Sequence, residues 1–148
     1  MTSEQLVVHD ADLPGMDPVT LYRVLALRVD VFVVEQNCVY RELDGREVDP
    51  TTRLLWIERD SEVLATLRLL RAADGSARIG RVATAMSARG QGLAAVLMHR
   101  ALELTADVVV ELHAQTYLVA WYERFGFTRA GADFLDDGIL HTPMRRGR

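Results

Sequence analysis

Two glycines separated by one residue stand directly before an apolar, helix-forming stretch, in the segment SARGQGLAAVLMHRALE from Ser87 to Glu103. The first N–H groups of a helix have no partner within the helix, and the helix dipole makes that end positive. A glycine-rich entry therefore forms a cradle for an anion such as a phosphate. Gly90, Gly92 and Ala94 carry no side chain that would block it. A tight turn without a ligand is the alternative interpretation of these residues.

Two other nucleotide-binding loops do not fit this segment. A P-loop needs a lysine and a hydroxyl residue after its second glycine, and the dinucleotide fingerprint needs a third glycine after a first strand-helix turn. Neither pattern is present at the required spacing. The chemistry indicated here is phosphate binding by backbone N–H groups.

The composition limits the classes of protein to consider. The chain has 148 residues, 49 % hydrophobic and 26 % charged, which is typical of one soluble globular domain. No apolar run is long enough to span a membrane, and the N-terminus lacks the pattern of a secretory signal. A single cysteine, Cys38, excludes an internal disulfide and a cysteine-rich zinc site. We therefore expect a cytoplasmic protein without a metal cofactor, and the net charge of −4 argues against nucleic acid as a partner.

The first half of the chain predicts one helix and several hairpin strands. Asp17 and Pro18 are typical of a helix start, and Leu21, Leu25, Val29 and Phe32 then recur at helical spacing. The segment from Tyr40 to Arg53 is polar, acidic and rich in turn residues. Asp60-Ser61 and Asp74-Gly75 are turn signals between apolar stretches. The predicted strands are Gln5–Asp10, Leu54–Asp60, Glu62–Ala72 and Ala77–Ala85.

The second half of the chain alternates strands and helices. From Leu93 the polar residues share one narrow stripe and the remainder is apolar, so this helix must lie on a sheet. We predict a strand at Asp107–Gln115, a short helix ending at Gly126, and strands at Phe127–Phe134 and Ile139–Arg146. The fold class is α/β (α+β), with a mixed central sheet of about six to seven strands and helices on both faces.

Four segments resemble one enzyme family. Arg89-Gly90-Gln91-Gly92-Leu93-Ala94 matches the R/Q-x-x-G-x-G/A motif of the GNAT N-acetyltransferases, which also lies between a strand and a long helix. AWYERFGF (Ala120 to Phe127) resembles the tyrosine-containing helix and Gly-Phe step that close the GNAT core. LRVDVFVVEQNCVYRELDG and DDGILHTPM resemble the ElaA-like branch. The resemblance covers one domain, residues 5–146.

The resemblance implies a cleft in which two parallel strands splay apart and acetyl-coenzyme A (acetyl-CoA) lies between them. Here these strands are Arg78–Ala85 and Asp107–Gln115. The backbone of the strand Arg78–Ala85 would pair with the pantetheine arm of acetyl-CoA. The N–H groups of the glycine loop would hold the pyrophosphate of the same molecule. Gln115 stands where many relatives carry an asparagine near the thioester. The implied cofactor-binding residues are Val82, Ala83, Thr84, Arg89, Gly90, Gln91, Gly92, Leu93, Ala94 and Ala95.

The implied reaction is transfer of an acetyl group to a primary amine by direct attack on the thioester. It needs a neutral amine, a polarised carbonyl and a proton for the leaving thiolate. Tyr122 matches the tyrosine that protonates the sulfur in many relatives, and an anchored core residue is the alternative. Glu35, a lone carboxylate after VFVV, is a candidate general base, directly or through water; a helix-end cap or salt bridge is the alternative.

Other residues are candidates for the substrate side or for the core. His113, near the end of a splayed strand, is either a base or a hydrogen-bonded core residue. His141 either faces the substrate or holds two strands together. Cys38 is interpreted as a buried or incidental thiol, and Trp56 and Trp121 as core residues.

For the amine that accepts the acetyl group, the sequence predicts only a chemical class. Acidic walls favour a cationic amine, and a solvated acidic surface is the alternative. The expected partners are acetyl-CoA and a small amine or peptide, and the oligomeric state stays open between monomer and homodimer. A coenzyme A-binding sensor or interaction module without turnover is the alternative function. A wider pocket around Leu67, Leu69 and Val82 would take a longer acyl chain. The residues of the two proposed acidic walls are Glu35, Glu42, Asp44, Glu47 and Asp49 in the first and Asp133, Asp136 and Asp137 in the second. Two arginines, Arg41 and Arg46, lie in the same segment as the first wall.

Overall fold

Eight strands and three helices make up the part of the chain that this computed structural model describes, residues 6–147. A π-helical segment, Asp30–Glu35, continues the first helix. The elements are β1 (Val8–Ala11), α1 (Pro18–Val29), β2 (Arg53–Arg59), β3 (Glu62–Arg71), β4 (Ala77–Thr84), α2 (Leu93–Leu104), β5 (Val110–Gln115), α3 (Val119–Glu123), β6 (Thr128–Arg129), β7 (Phe134–Asp136) and β8 (Ile139–Arg146).

The strands form one mixed sheet in the order β1-β2-β3-β4-β5-β8-β6, with β7 also paired to β8. Of these pairs only β4 and β5 are parallel. The mixed fold is confirmed, but the sheet has more strands than the predicted six to seven. The segment predicted as one strand, Phe127–Phe134, forms both β6 and β7. The Ala130 N–H still donates to the Pro143 carbonyl at 2.8 Å, but Pro143 has no N–H to donate in return, and the ladder is interrupted at residues 131–133.

The predicted helix start and hairpin turn are confirmed. Asp17 accepts hydrogen bonds from the N–H groups of Val19 and Thr20, which have no partners within α1. Asp60 and Ser61 both have positive φ, 51° and 64°, as a two-residue turn between β2 and β3 requires. Both features follow from local chemistry. The first predicted strand is shorter in the structure, where it is β1, and Gln5 lies outside the described residues.

Helices cover both faces of the sheet, as predicted. Alternate residues of each strand point to opposite faces. On β2, Leu55 and Ile57 pack in the core that α2 and α3 cover, whereas Leu54 and Trp56 pack in the core that α1 covers. Trp56 is buried, as expected, and its ring stacks on His9 at a centroid distance of 5.4 Å.

The buried face of α1 differs from the apolar stripe seen in the sequence. The residues of that stripe are only partly buried. The helix has apolar residues on two adjoining faces, and the face that packs on the sheet includes a charged residue, Arg28, with no exposed surface. Burial of this guanidinium is tolerated because acidic partners meet it, as described below. The buried residues are Val24, Leu27, Arg28 and Val31.

The sheet opens between β4 and β5. These strands share only the register pairs Ala77↔Val110 and Arg78↔Glu111 and then diverge, so the predicted splay is confirmed. β4 also bulges against β3: the pairing steps from Thr66↔Ala83 to Arg68↔Gly80 and leaves one extra residue on β4. Arg81, in the bulge, has a φ of 52°.

Candidate functional site

A cavity of about 640 Å³ lies at the opening between β4 and β5. Its floor is the part of the sheet beside α1, where side chains from the face shared with α1 are exposed to the cavity. Leu67 and Leu69 point to the other face and are buried against α2. The expectation that they shape the acyl pocket is therefore wrong, although Val82 does line the cavity. The floor residues are Arg68 and Leu70 of β3, Arg78 and Gly80 of β4, and His113 and Gln115 of β5.

The segment after the π-helical turn, residues 36–40, crosses the cavity as a strap. The Gln115 side-chain amide donates a hydrogen bond to Gln36 Oε1 at 3.4 Å. Cys38 Sγ donates to the backbone carbonyl of Asp137 at 3.4 Å, in the turn between β7 and β8. Cys38 is thus a half-buried, free thiol on the cavity wall and not a core residue. The strap links the α1 side of the cleft to the β5 side.

An ionic cluster adjoins the cavity. Arg28 pairs with Glu42 and with Glu47, the latter at 2.7 Å. Arg68 Nη1 donates to Asp44 at 2.8 Å and to Glu47 at 3.1 Å. The Tyr40 hydroxyl also donates to Glu42. The cluster consists of Arg28, Arg68, Arg81, Glu42, Asp44 and Glu47, with Arg81 Nε 2.7 Å from Glu42 and Arg81 Nη2 3.4 Å from Asp44.

These pairs correct the expectation of an acidic wall. Burial raises the pKa of Glu47, but the charges of Arg28 and Arg68 and their hydrogen bonds outweigh it, so the pKa lies below its usual range. Burial also raises the pKa of Asp44, but hydrogen bonds from the Arg68 side chain and the Arg46 backbone N–H, together with the charges of Arg68 and Arg81, outweigh it and lower the pKa. The cluster is electrically balanced, so its carboxylates are committed to arginines and do not attract a cationic amine. Sequence reasoning missed it because its arginines stand far apart in the chain.

A second, smaller cavity of about 240 Å³ lies at the start of α2. Gly90 and Gly92 have φ of 78° and 75°, which favour glycine, and no heavy atom lies within 4 Å of a Cβ built on either. No side chain caps α2 at Gly92, and its first turn has no acidic residue. The predicted turn is thus present, with open backbone N–H groups. The lining includes Leu93, Ala94 and Ala95.

Arg89 lies between the two cavities. This residue lines both cavities, together with Thr84, Ala94 and Trp121. Arg89 Nη2 lies 2.7 Å from Glu35 Oε1, and its Nε and Nη2 each donate to the Thr84 carbonyl at 3.2 Å. The hydrogen bond that Arg89 donates to Glu35 raises the pKa of Arg89. The salt bridge weighed as an alternative for Glu35 is thus present in the structure.

Tyr122 lines the larger cavity from α3, although only 7 % of its surface is exposed. Its ring contacts Trp121 and Phe127 at centroid distances of 4.9 and 6.4 Å. Burial raises the pKa of the phenol. The position combines both interpretations made from the sequence, since the ring is anchored in the core and the residue also reaches the cavity. Trp121 is not only a core residue, because it lines both cavities.

Two histidines line the cavity beside Phe134. His113 meets the Phe134 ring edge-on at 5.0 Å and is exposed, so the core interpretation is wrong for it. Burial, the charge of Arg78 and His141 lower the pKa of His113. His141 Nδ1 donates to the Ile139 carbonyl at 2.8 Å, and its ring stacks on Phe134 at 5.7 Å. His141 therefore faces the cavity and also links adjacent strands.

Within residues 6–147, no group of three or more His, Cys, Asp or Glu side chains is placed to hold a metal ion. None of the helices in the same range has the length and apolar character needed to cross a membrane.

A match to a known protein family identifies the family of this chain. The GNAT acetyltransferase domain model matches residues 24–147. The chain belongs to the GNAT family. A UPF0039 protein of Mycobacterium tuberculosis is 49 % identical over 135 residues, covering 88 % of this chain and 86 % of that protein. Protein ElaA of Escherichia coli is 36 % identical over 132 residues, covering 85 % and 86 % of the two chains.

Solved structures of GNAT relatives agree with this assignment. An acyl-CoA N-acyltransferase from Pseudomonas aeruginosa superposes with a TM-score of 0.91 at 42 % identity, covering 97 % of this chain and 100 % of that one. The structure of Escherichia coli ElaA gives a TM-score of 0.86 at 31 % identity with the same coverage. The resemblance to the ElaA-like branch is confirmed, and the family supports acyl-CoA acyltransferase activity.

Proposed function

We propose that this GNAT protein transfers an acetyl group from acetyl-CoA to a primary amine by direct attack of the amine on the thioester. The observation that carries the proposal is the opening between β4 and β5, which leads to the uncapped start of α2. The gap between the strands suits an extended arm, and the glycine turn suits a pyrophosphate. A domain spanning residues 5–146 and a cytoplasmic location belong to the same proposal.

The donor would be held mainly by backbone groups. Val82, Ala83 and Thr84 of β4 face the gap and would pair with the amides of the pantetheine arm as a strand would. The N–H groups of residues 90–95 would bind the pyrophosphate, with the side chains of Arg89 and Gln91 beside it. A side chain at position 90 or 92 would stand in the open space of the cradle and would also require a left-handed backbone. These features fit acetyl-CoA.

Tyr122 would protonate the departing thiolate. A general acid must hold its proton at the working pH and release it only as charge develops on the sulfur. The raised pKa of Tyr122 keeps the phenol protonated throughout the neutral range. Packing against Trp121 and Phe127 fixes the direction of the ring. No covalent enzyme intermediate is needed.

Glu35 would take the proton from the amine, directly or through water. Its carboxylate is held by Arg89, which lies at the entrance to the glycine cradle. Pyrophosphate oxygens would compete with Glu35 for this guanidinium, because both are anions and both accept paired hydrogen bonds. Donor binding would therefore free Glu35 at the moment when a base is needed. His113 and His141 would lie on the substrate side.

The decisive experiment measures release of free thiol from acetyl-CoA in the presence of a panel of primary amines. We expect thiol release that depends on the amine and matches the amount of N-acetyl product. Butyryl- and hexanoyl-CoA assayed in parallel decide whether the donor site accepts longer chains. Calorimetric binding of coenzyme A without thiol release from any acyl donor and amine would support the sensor alternative instead.

A further inference from the structure

One wall of the larger cavity is rich in arginine. Arg68 of β3 pairs in register with Gly80 of β4, and Arg78 stands two residues before Gly80 on the same face. Diagonal neighbours of this kind lie within reach of one another's long side chains. No heavy atom lies within 4 Å of a Cβ built on Gly80, so the sheet surface above Gly80, next to both arginine positions, is open. Two guanidinium groups thus flank one open patch of the floor, and of these only Arg78 stands outside the ionic cluster.

Arg68 has unused hydrogen-bond donors although it is buried. Only 5 % of its surface is exposed, and its Nη1 is occupied by Asp44 and Glu47. Its Nε is buried and makes no hydrogen bond to any described residue. A buried donor without a partner is costly, and nearly all such donors in folded proteins are paired. The Nε donor of Arg68, a residue of the cavity lining, therefore lacks an acceptor among the described residues, and a carboxylate matches the Nε edge of a guanidinium with two parallel hydrogen bonds.

The positive charge of Arg78 is only loosely balanced. The ionic cluster is electrically neutral and contributes no spare carboxylate to the floor. Arg78 lies 3.7 Å from Glu111, and both side chains are about two-fifths exposed, at 41 % and 43 %. An ion pair of this kind is weak and exchanges readily. Arg78 can therefore turn to an anion bound in the cavity.

The turn between β7 and β8 brings negative charge to the same cavity. Asp136 and Asp137, in the turn between β7 and β8, line the cavity. Neither carboxylate forms an ion pair with the part of the chain that the structure describes. The cavity is therefore dipolar, with arginines on the floor and aspartates at the turn that the strap contacts. A ligand that has both a cation and an anion matches this arrangement better than a simple amine does.

We propose that the acceptor is an amino acid, whose carboxylate is bound by Arg68 and Arg78 and whose amino group enters past Asp136 and Asp137. The inference rests on the proposed acyl transfer and specifies its acceptor. The amine approaches as the ammonium cation, gives a proton to Glu35 directly or through water, and attacks the thioester carbonyl as the neutral nucleophile. The C–N bond forms, the nitrogen releases its second proton, the C–S bond breaks, and the departing coenzyme A thiolate takes a proton from Tyr122. The carboxylate takes no part in the reaction and only holds the substrate.

The first test compares amino acids with the amines that lack the carboxylate: phenylalanine with phenethylamine, leucine with 3-methylbutylamine, and lysine with 1,5-diaminopentane. Arg78→Gln should raise KM about tenfold for the amino acid and leave KM for the decarboxylated amine unchanged, with kcat nearly constant for both. The ratio of parent to variant within each substrate cancels the difference in amine basicity. Arg23→Gln, an exposed position on α1, removes the same charge as a matched control.

A second test measures binding without turnover. Calorimetry of the coenzyme A-loaded protein with N-acetylphenylalanine, and with its primary amide, should give tighter binding of the acid by about tenfold, and Arg78→Gln should abolish the difference. Arg68→Lys keeps the charge that Asp44 and Glu47 require but removes the Nε donor. It should show the same loss of preference for the acid, and an unchanged circular dichroism spectrum identifies the variant as folded.

The kinetic test and the binding test distinguish failure of the acyl-transfer proposal from failure of the proposed carboxylate site. If no amine releases thiol, the acyl-transfer proposal fails, and the binding arm alone decides whether the carboxylate site exists. Equal binding of the acid and the amide overturns the inference. An Arg78→Gln effect that is the same for amino acids and decarboxylated amines overturns it as well.

Discussion

The ionic cluster should make Arg28 one of the most sensitive positions in the protein. Arg28 has no exposed surface, and its partners Glu42 and Glu47 are 3 % and 8 % exposed. Replacing Arg28 by methionine fills a similar volume but leaves both carboxylates short of a counter-charge. Removing one member of a buried ion pair typically costs about 3–5 kcal/mol. We expect the lower end, about 3 kcal/mol at pH 7, because Arg81 still pairs with Glu42 and Arg68 still pairs with Glu47.

The loss should depend on pH in a direction that follows from Glu47. In the parent its pKa is lowered, so its contribution to stability is present above its unfolded pKa of about 4.3 and is lost as the pH falls through the folded value. Without Arg28, one of the two positive charges that lower the pKa of Glu47 is gone. Burial then raises the pKa of Glu47 in the folded variant above its value in the folded parent. The variant then gains relative stability as protonation removes the charge. The difference in unfolding free energy should therefore shrink as the pH falls from about 7 toward about 4.5.

Urea unfolding followed by circular dichroism measures this difference at each pH. At pH 7 the melting temperature should also fall by roughly 6–12 °C, given about 2–4 °C per kcal/mol for a chain of this size. Arg23→Met, on the exposed face of α1, controls for the loss of charge and should change stability by no more than about 0.5 kcal/mol. A loss below about 1 kcal/mol at pH 7, or a loss equally large at pH 4.5, would refute the reasoning.

Three further predictions concern catalysis and donor binding. Gly92→Glu puts a carboxylate into the cradle at a left-handed position, so calorimetry should show coenzyme A affinity reduced at least about a hundredfold; unchanged affinity in a folded variant would remove this loop from the site. Tyr122→Phe keeps the packing, and kcat should fall roughly 10- to 100-fold at every pH from about 6 to 10, because the raised pKa keeps the parent phenol protonated. Full kcat with acetyl transfer rate-limiting would leave Tyr122 a packing residue. Glu35→Gln should slow the reaction most at low pH, where neutral amine is scarce, whereas a uniform loss at all pH values would indicate positioning of Arg89.

The features that sequence analysis predicted well are those set by local chemistry. The helix start at Asp17, the hairpin turn at Asp60-Ser61 and the glycine turn before α2 each depend on a few adjacent residues. The division of Phe127–Phe134 into β6 and β7 was missed because it depends on Pro143 in a neighbouring strand.

The acceptor side of the site was predicted less well, because it depends on long-range pairing. The acidic residues from Glu35 to Asp49 predict either a wall that attracts cations or a solvated surface. The structure instead pairs Glu42, Asp44 and Glu47 with arginines that come from three other elements, namely Arg28, Arg68 and Arg81. The sequence did contain one signal, because Arg28 stands at helical spacing among apolar residues of the first helix.

Because β4 and β5 diverge, the middle of this sheet contains backbone N–H and C=O groups that no neighbouring strand pairs with. Sheets normally leave N–H and C=O groups unpaired only along their outer strands, where proteins guard against the addition of foreign strands. Among the described residues, β4 and β5 share no register pair beyond Arg78 and Glu111, so two facing edges run along the cleft. An extended peptide with ordinary amide spacing could complete this sheet whatever its side chains. Backbone mimetics of a single strand should therefore act as competitive inhibitors against the acyl donor, and their potency should follow the number of amides rather than sequence.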